Sequence, residues 1–514
     1  MKEKMDRVAA ASRGAMARAV TNTSLFVFAA FLFSGVLGMS PLTWHQDAVT
    51  QFFRFILVPW GMALTFAQLL RRQNAPMTMD AAILFVLLVW MTVPFIYRFG
   101  LTFNNINAAC GYAMVFFGVY VSLRNESPAR REELIDWACA VFGLFTLIFG
   151  GALLYCAATV KTFAADMGEF GFGIWNRAYL VSGVHYNITG MVCVCCAMIC
   201  LCGAERARWL WLRLLYMLGA VMMMVVVVLT QSRTARYALL LALAAGAFSR
   251  VFSWLRAKVW QRAAAGVLAA SVVLVGGYLG AARLCDAALV HYVRVQERRA
   301  AQTAEGRSNL PETNEPTLVR TALAEQGVDE LGAAMQSGAE LNGAAAAQSD
   351  AVPNEIPHQV PQLNARPAAD ATFSGRTEIW TGVFRMWMEN PKSLLIGNGV
   401  GRTGSIVVQG TALESLGAIA LHNTYLQFIA DFGLIGFGLL LAFLLLIVRR
   451  CVRAFMRGGA SLSGMLPMAM LVLAILVTGL MESAPLGEMT PMNVCLFFAL
   501  GLLVPAGEQQ RHDL

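Results

Sequence analysis

Four arginine and histidine side chains sit where an apolar chain has little reason to put them. Arg376 opens SGRTEIWTGVFRMWMENP, His422 and Asn423 open HNTYLQFIADFGLIGFG, and Arg233 and Arg236 lie in TQSRTARY, each stretch leading into a helical apolar run. Guanidinium groups beside the free N–H groups of a helix start suit phosphate oxygens, which accept charge-assisted hydrogen bonds there. Two such starts, each with Ser or Thr beside its Arg, could form a pyrophosphate cradle. Imidazole suits proton transfer near neutral pH, so His422 could act as a base or orient an acceptor. Each also has a plainer reading, as an interfacial arginine or as a histidine at headgroup level making a local hydrogen bond. Further along the His422 run, Asp431 could pair with a neighbouring helix or carry chemistry. Ala430, Gly433 and Gly436 would let another helix approach closely.

The elements that must position these groups are membrane spans. Of 514 residues, 58% are hydrophobic and 14% charged, well below the charged share of about 25% in soluble proteins. Apolar runs predict about twelve transmembrane helices, at 24–39, 52–70, 81–97, 107–123, 134–158, 186–203, 211–229, 237–252, 263–282, 424–448, 462–481 and 492–506. The fold class expected is therefore an all-α polytopic membrane protein, its backbone polar groups satisfied within helices. With the N-terminus inside, twenty-two Lys and Arg fall on inside segments. The short outside loops hold only Arg98, Lys161, Arg177, Arg233 and Arg236. That bias predicts both termini cytoplasmic and marks the outside arginines as exceptions. The net charge of +8 then reads as a topology signal rather than a nucleic-acid surface.

The expected organisation is about nine spans over 1–282, a large external loop over 283–423 and about three spans over 424–514. The middle of the loop, 300–371, is rich in Ala, Gln, Glu, Asn and Pro and is expected to be disordered. Order returns over 373–390. There Ile379, Val383, Met386 and Trp387 recur at helical spacing, Trp380 widens the stripe, and Pro391 and GNGVG end the helix. Such an amphipathic helix would lie along the outer membrane face. The loop at 159–185, rich in Gly and aromatic residues, is expected to fold against the bundle. The basic N-terminus leads into an uncleaved first span rather than a signal-peptide cleavage site. The cysteine cluster CVCCAMICLC has no interleaved histidine or carboxylate, so it reads as small apolar packing. The sequence contains no Asp-x-Asp, no metal-ligand spacing, no G-x-S-x-G and no phosphate-binding GK[ST] loop.

Together TQSRTARYALLLAL, SGRTEIWTGVFRMWMENPKSLLIGNGVG and HNTYLQFIADFGLIGFG resemble, in order, the three signature segments of the O-antigen ligase and O-antigen polymerase superfamily, over about 225–440. The resemblance implies a GT-C-like glycosyltransferase, inverting and independent of any metal or cofactor. It would act at the outer face of the inner (cytoplasmic) membrane. The implied donor is an undecaprenyl-diphosphate-linked glycan, and the acceptor a glycan or lipid A-core, with membrane lipids around them. By the same resemblance, Arg233 and Arg376 would bind the donor diphosphate and His422 the acceptor hydroxyl. Arg236 and Arg177 are lesser candidates for the anionic head, and His185, Asn187 and Asn423 for the substrate. Ligation to a foreign acceptor is one outcome and polymerisation of lipid-linked repeat units a second. A lipid-linked sugar flippase, the third, should carry paired repeats or ionisable residues at mid-membrane. The notable charges here cluster at the outer interface instead.

Overall fold

The structure, a computed structural model, describes residues 58–71, 77–98, 103–165, 168–174, 178–182, 186–255, 257–308, 376–400, 403, 421–456, 465–483, 486 and 490–503. Its helices are α1 (Val58–Arg71), α2 (Met79–Arg98) and α3 (Phe103–Ala113), which runs on through a π-helical stretch, Met114–Val121, into a last α-turn, Ser122–Arg124. Next come α4 (Pro128–Thr159), α5 (Tyr186–Arg206), α6 (Leu210–Leu229), α7 (Arg233–Trp254) and α8 (Val259–Ser308). After the long external segment follow α9 (Arg376–Glu389), α10 (Pro391–Ile396), α11 (Thr424–Met456), α12 (Leu466–Thr478) and α13 (Pro491–Leu503). Among the described residues, six helices are long and apolar enough to cross a membrane, and four shorter ones are apolar. The fold is an all-α polytopic bundle.

Eleven of the twelve apolar runs coincide with described helices, and the first, 24–39, lies outside the described residues. Several boundaries differ from the hydropathy reading, among them those of the eighth and ninth spans. The eighth span begins at Arg233, four residues early, because Ser232 is an N-cap whose hydroxyl accepts from the N–H of Ala235 at 3.2 Å. The ninth helix continues to Ser308, into the stretch read as loop, because its Ala- and Arg-rich continuation keeps good helix formers after the apolar residues end. The chain divides into two units, Met1–Ala288 with Arg366–Leu514, and Leu289–Ala365. Of the second, only the end of α8 is described, so the expected disorder at 300–371 falls mostly outside the described residues.

Between α4 and α5, where the sequence predicts a loop rich in Gly and aromatic residues, the structure forms an antiparallel three-stranded meander. It consists of β1 (Thr162–Ala165), β2 (Gly168–Ile174) and β3 (Ala178–Ser182). Phe163 pairs with Phe170 and Phe172 with Leu180. The strands lie beside α4, α5 and α6, so the segment does fold against the bundle.

At the centre stands α5, the most buried of the six spans. Cys193, Cys195, Cys196, Cys200 and Cys202 are all buried on it, and the Cys200 thiol lies 3.5 Å from Thr146 Oγ1 on α4. Small side chains let α4, α6, α7 and α12 close around this helix. At Gly190 an added Cβ would come within 2.8 Å of Ala235 Cβ on α7.

One end of the bundle is tied by charge. Asp80, fully buried in the first turn of α2, is 2.5 Å from Arg124, accepts from the Tyr120 hydroxyl at 2.5 Å and lies 3.3 Å from Arg450 on α11. Thr78 also accepts from Arg124. At the same end Arg131 donates to the carbonyls of Gly501 and Leu502, Arg213 to those of Ala204 and Ala207, and Arg262 to that of Phe252. These arginines sit at the negative ends of α13, α5 and α7, where a cation is favoured. All belong to segments that the charge count groups on one side.

Removing one partner of a buried ion pair leaves an uncompensated charge, which costs about 3–5 kcal/mol. Asp80→Ala is therefore expected to lower the thermal unfolding midpoint of the detergent-solubilised protein clearly. Replacing the exposed Glu132, which pairs with Arg206 at 2.5 Å, should move it little by comparison, as surface pairs contribute about 0–1 kcal/mol.

Candidate active site

About 40 Å from Arg450 along α11, by helical rise, the other end of the bundle gathers the groups singled out by type. Arg376 and His422 meet at a carboxylate that the sequence patterns do not mark. Glu482, just past the end of α12, is 6% exposed. Its Oε1 accepts from Arg376 Nη2 at 3.0 Å and from Asn187 Nδ2 at 2.6 Å, and its Oε2 lies 3.6 Å from His422 Nδ1. Asn187 in turn accepts from the Ser232 hydroxyl at 2.6 Å. Ser232 is the cap that starts α7 at Arg233. One buried anion thus joins the external helix α9, the mouth of α11, the start of α5 and, through Asn187, the start of α7. A carboxylate so removed from water requires a cation and hydrogen-bond donors, and Arg376 and Asn187 supply them.

The backbone at His422 is held in a conformation it would not choose. Its φ is +50°, in the left-handed region that non-glycine residues seldom occupy. Every neighbour is pinned. The Leu421 N–H donates to Gln427 Oε1 at 3.3 Å, and the Leu421 carbonyl accepts from Trp380 Nε1 at 2.8 Å. Leu421 itself is buried with Ile379, Val383, Trp387 and Ala430. On the other side Asn423 Oδ1 caps α11 by accepting from Tyr425 N and Leu426 N at 3.0 and 2.9 Å, while its Nδ2 donates to the Leu480 carbonyl at 3.0 Å. Thr424 N and Oγ1 donate to the carbonyls of Gly479 and Glu482 at 2.8 and 2.6 Å. Strain of this kind persists only where the surroundings over-determine it, which is common at functional sites. The helical spacing of Arg376 and Trp380 accounts for the pairing: one turn apart on α9, one reaches Glu482 and the other the residue before His422.

A second join fixes the height of this assembly. α11 is broken at Gly433, whose φ and ψ are 72° and 176°. The carbonyls near the break are taken up from outside the helix: Ala430 accepts from Asn398 N at 2.8 Å, Asp431 from Gly399 N at 2.9 Å, and Phe432 from Trp90 Nε1 at 2.8 Å. The two backbones touch through reciprocal glycines. A Cβ at Gly433 would come within 2.0 Å of the Leu395 carbonyl oxygen, and one at Gly397, with φ +92°, within 2.3 Å of that of Asp431. Gly433 is therefore a helix break that receives the GNG link, rather than the helix-packing position its spacing implied. Gly436 does serve close packing, against Trp90. Asp431 is 6% exposed and accepts from Gln427 Nε2, one turn earlier, at 3.0 and 3.1 Å.

The remaining candidates divide. Arg233 is exposed at the start of α7, and Arg236, half-buried one turn on, has a buried Nε without a hydrogen bond. Asn187 is buried beneath the site, and its amide bridges Ser232 and Glu482. Asn423 uses both acceptor positions of its side chain in capping α11. Arg177 and His185 lie outside the described residues. Glu482 was missed. Its one sequence signal is an isolated carboxylate at the outer edge of an apolar run, in GLMESAP, on the side that holds the exceptional arginines.

Residues 218–442 match the family model described as O-antigen ligase. The chain carries an O-antigen ligase domain. No curated protein is significantly similar to the chain. The O-antigen ligase domain contains Arg233, Arg376 and His422 together with both glycines of the α10–α11 join, whereas Asn187 and Glu482 lie outside the matched stretch. The site is completed by α5 and by the chain after α12. The matched domain supports a membrane glycosyltransferase of the O-antigen ligase or polymerase type, and the apolar helices suit a multi-pass membrane protein.

Gly433→Ala tests the join: strain at a special φ together with a backbone clash costs at least about 1–3 kcal/mol. The variant should melt earlier than the parent and be cleaved more readily between α9 and α11 in limited proteolysis, whereas Gly438→Ala, with open space around it, should behave like the parent.

Proposed function

We propose that the protein moves a glycan from an undecaprenyl-diphosphate carrier to an acceptor hydroxyl at the outer face of the inner membrane, ligation to lipid A-core being the reading adopted. The observation that carries it is the convergence of Arg376, His422 and the Arg233 helix start on one buried carboxylate at one end of the bundle. That end is the one the charge count assigns to the outside, with both termini on the cytoplasmic side.

In this reading Arg376 and Arg233 hold the diphosphate of the donor. As the anomeric C–O bond breaks, negative charge builds on the leaving lipid diphosphate, and fixed guanidinium groups stabilise it more in the transition state than in the ground state. His422 takes the proton of the acceptor hydroxyl while its oxygen attacks the anomeric carbon from the opposite face, which inverts the configuration. Arginine supplies the positive charge that a divalent cation supplies in other sites, so the reaction is read as independent of metal. Arg236, Arg177 and His185 are further candidates for contacts to the carrier head and the sugars.

His422→Ala, Arg376→Ala and Arg233→Ala should each abolish transfer in proteoliposomes carrying the cells' own lipid-diphosphate-linked glycan, with insertion of the protein unchanged. Near-parental activity in any one removes that residue from the site. Product on purified lipid A-core marks ligation, whereas a ladder of repeat units without it replaces ligation by polymerisation. EDTA should leave the rate unchanged, and a strong loss that added divalent cation restores would overturn the metal-independent mechanism.

A further inference from the structure

The carboxylate that the sequence motifs leave out has an oxygen aimed at the proposed base. Glu482 Oε1 is occupied by Arg376 and Asn187, while Oε2 stands 3.6 Å from His422 Nδ1. That nitrogen is buried and makes no hydrogen bond. A buried ring nitrogen without a partner is costly, and this one faces a carboxylate just beyond hydrogen-bond length. The histidine carrying it sits on a left-handed backbone pinned on both sides.

We infer that Glu482 is a positioning residue for His422, holding the imidazole with its proton on Nδ1 so that Nε2 presents a lone pair to the acceptor. The inference rests on the reading of His422 as the base. In the transfer step the acceptor O–H proton passes to Nε2 as the acceptor oxygen bonds the anomeric carbon. The electron pair of the breaking C–O bond leaves with the lipid diphosphate. The imidazolium formed lies against the Glu482 carboxylate, which closes from 3.6 Å to hydrogen-bond length while Arg376 and Asn187 hold its other oxygen. Among the described residues, the charged or titratable groups in contact at this junction are Glu482 itself, Arg376 from α9 and His422 from α11. α5 contributes the neutral Asn187, and α7 reaches the junction through Ser232.

Glu482→Gln separates this role from a purely structural one. The glutamine oxygen can still accept from Arg376 and Asn187, so the junction is retained. Its NH₂ then faces Nδ1 and favours the tautomer with the proton on Nε2, which cannot act as base. The expected result is a fall in kcat of about 100-fold or more, with the donor KM changed less than about threefold. Glu482→Asp should recover part of the lost kcat. Undecaprenyl diphosphate binding, followed by thermophoresis of the purified variants, should stay within about threefold of the parent for Glu482→Gln and weaken more than tenfold for Arg376→Ala. A Glu482→Gln kcat within threefold of the parent, or a loss confined to the donor KM and to undecaprenyl diphosphate binding, overturns the inference. Activity surviving in His422→Ala overturns instead the reading on which it rests.

Discussion

A carboxylate removed from water cannot stand alone, and the end of this protein that holds Glu482 is built around that constraint. Glu482 needs a cation and donors, and it takes them from segments far apart in sequence: Arg376 from the external helix and Asn187 from α5. Because Asn187 also receives the Ser232 cap of α7, satisfying one anion brings three separated helix starts into register. The same contact leaves His422 at its edge, close enough to feel the charge and too far to be consumed by it. Under the proposed function, catalytic and structural roles meet at Arg376, which would hold the diphosphate and also neutralises Glu482.

The opposite end applies the same electrostatics with a different result. Asp80 is closed in by Arg124, Tyr120 and Arg450, and the surrounding arginines cap helix C-termini. Those cations are consumed by the fold. At the other end Arg233 is exposed, and Arg376 shares its carboxylate with a neutral amide. The α11 helix links the two ends, and its break at Gly433 is where the external segment is locked to it. A helix uninterrupted at that point would offer no carbonyls to Asn398 and Gly399 and no rigid seat for His422.

Much of this was legible in the sequence because hydropathy and charge bias are local signals. The spans, the amphipathic helix over α9 and the departure of Arg376, Arg233 and His422 from the positive-inside pattern could all be read residue by residue. Glu482 could not, since its significance lies in partners 106 and 295 positions away, and a lone carboxylate at a span edge carries no period. Gly433 was visible as a glycine but not as a break, because small-residue spacing looks the same whether a helix or a loop backbone fills the groove. The meander over 162–182 escaped for a related reason: three short strands rich in glycine and aromatic residues carry little alternation to distinguish them from loop. Asn187 and Asn423 were recognised as polar groups near the site, but their amides serve Glu482 and the α11 cap, a distinction only the fold provides.

The π-helical stretch at Met114–Val121 carries an implication of another kind. Its widened turns place both Tyr120 and Arg124 against Asp80 while Phe116 packs against Phe497. A helix wound this way accommodates more residues per turn than an ordinary one. Rewinding these residues at ordinary α pitch would rotate everything beyond them about the helix axis, carrying Arg124 off its carboxylate. This buried segment is therefore a ruler, and the contacts of Asp80 are set by its divisions.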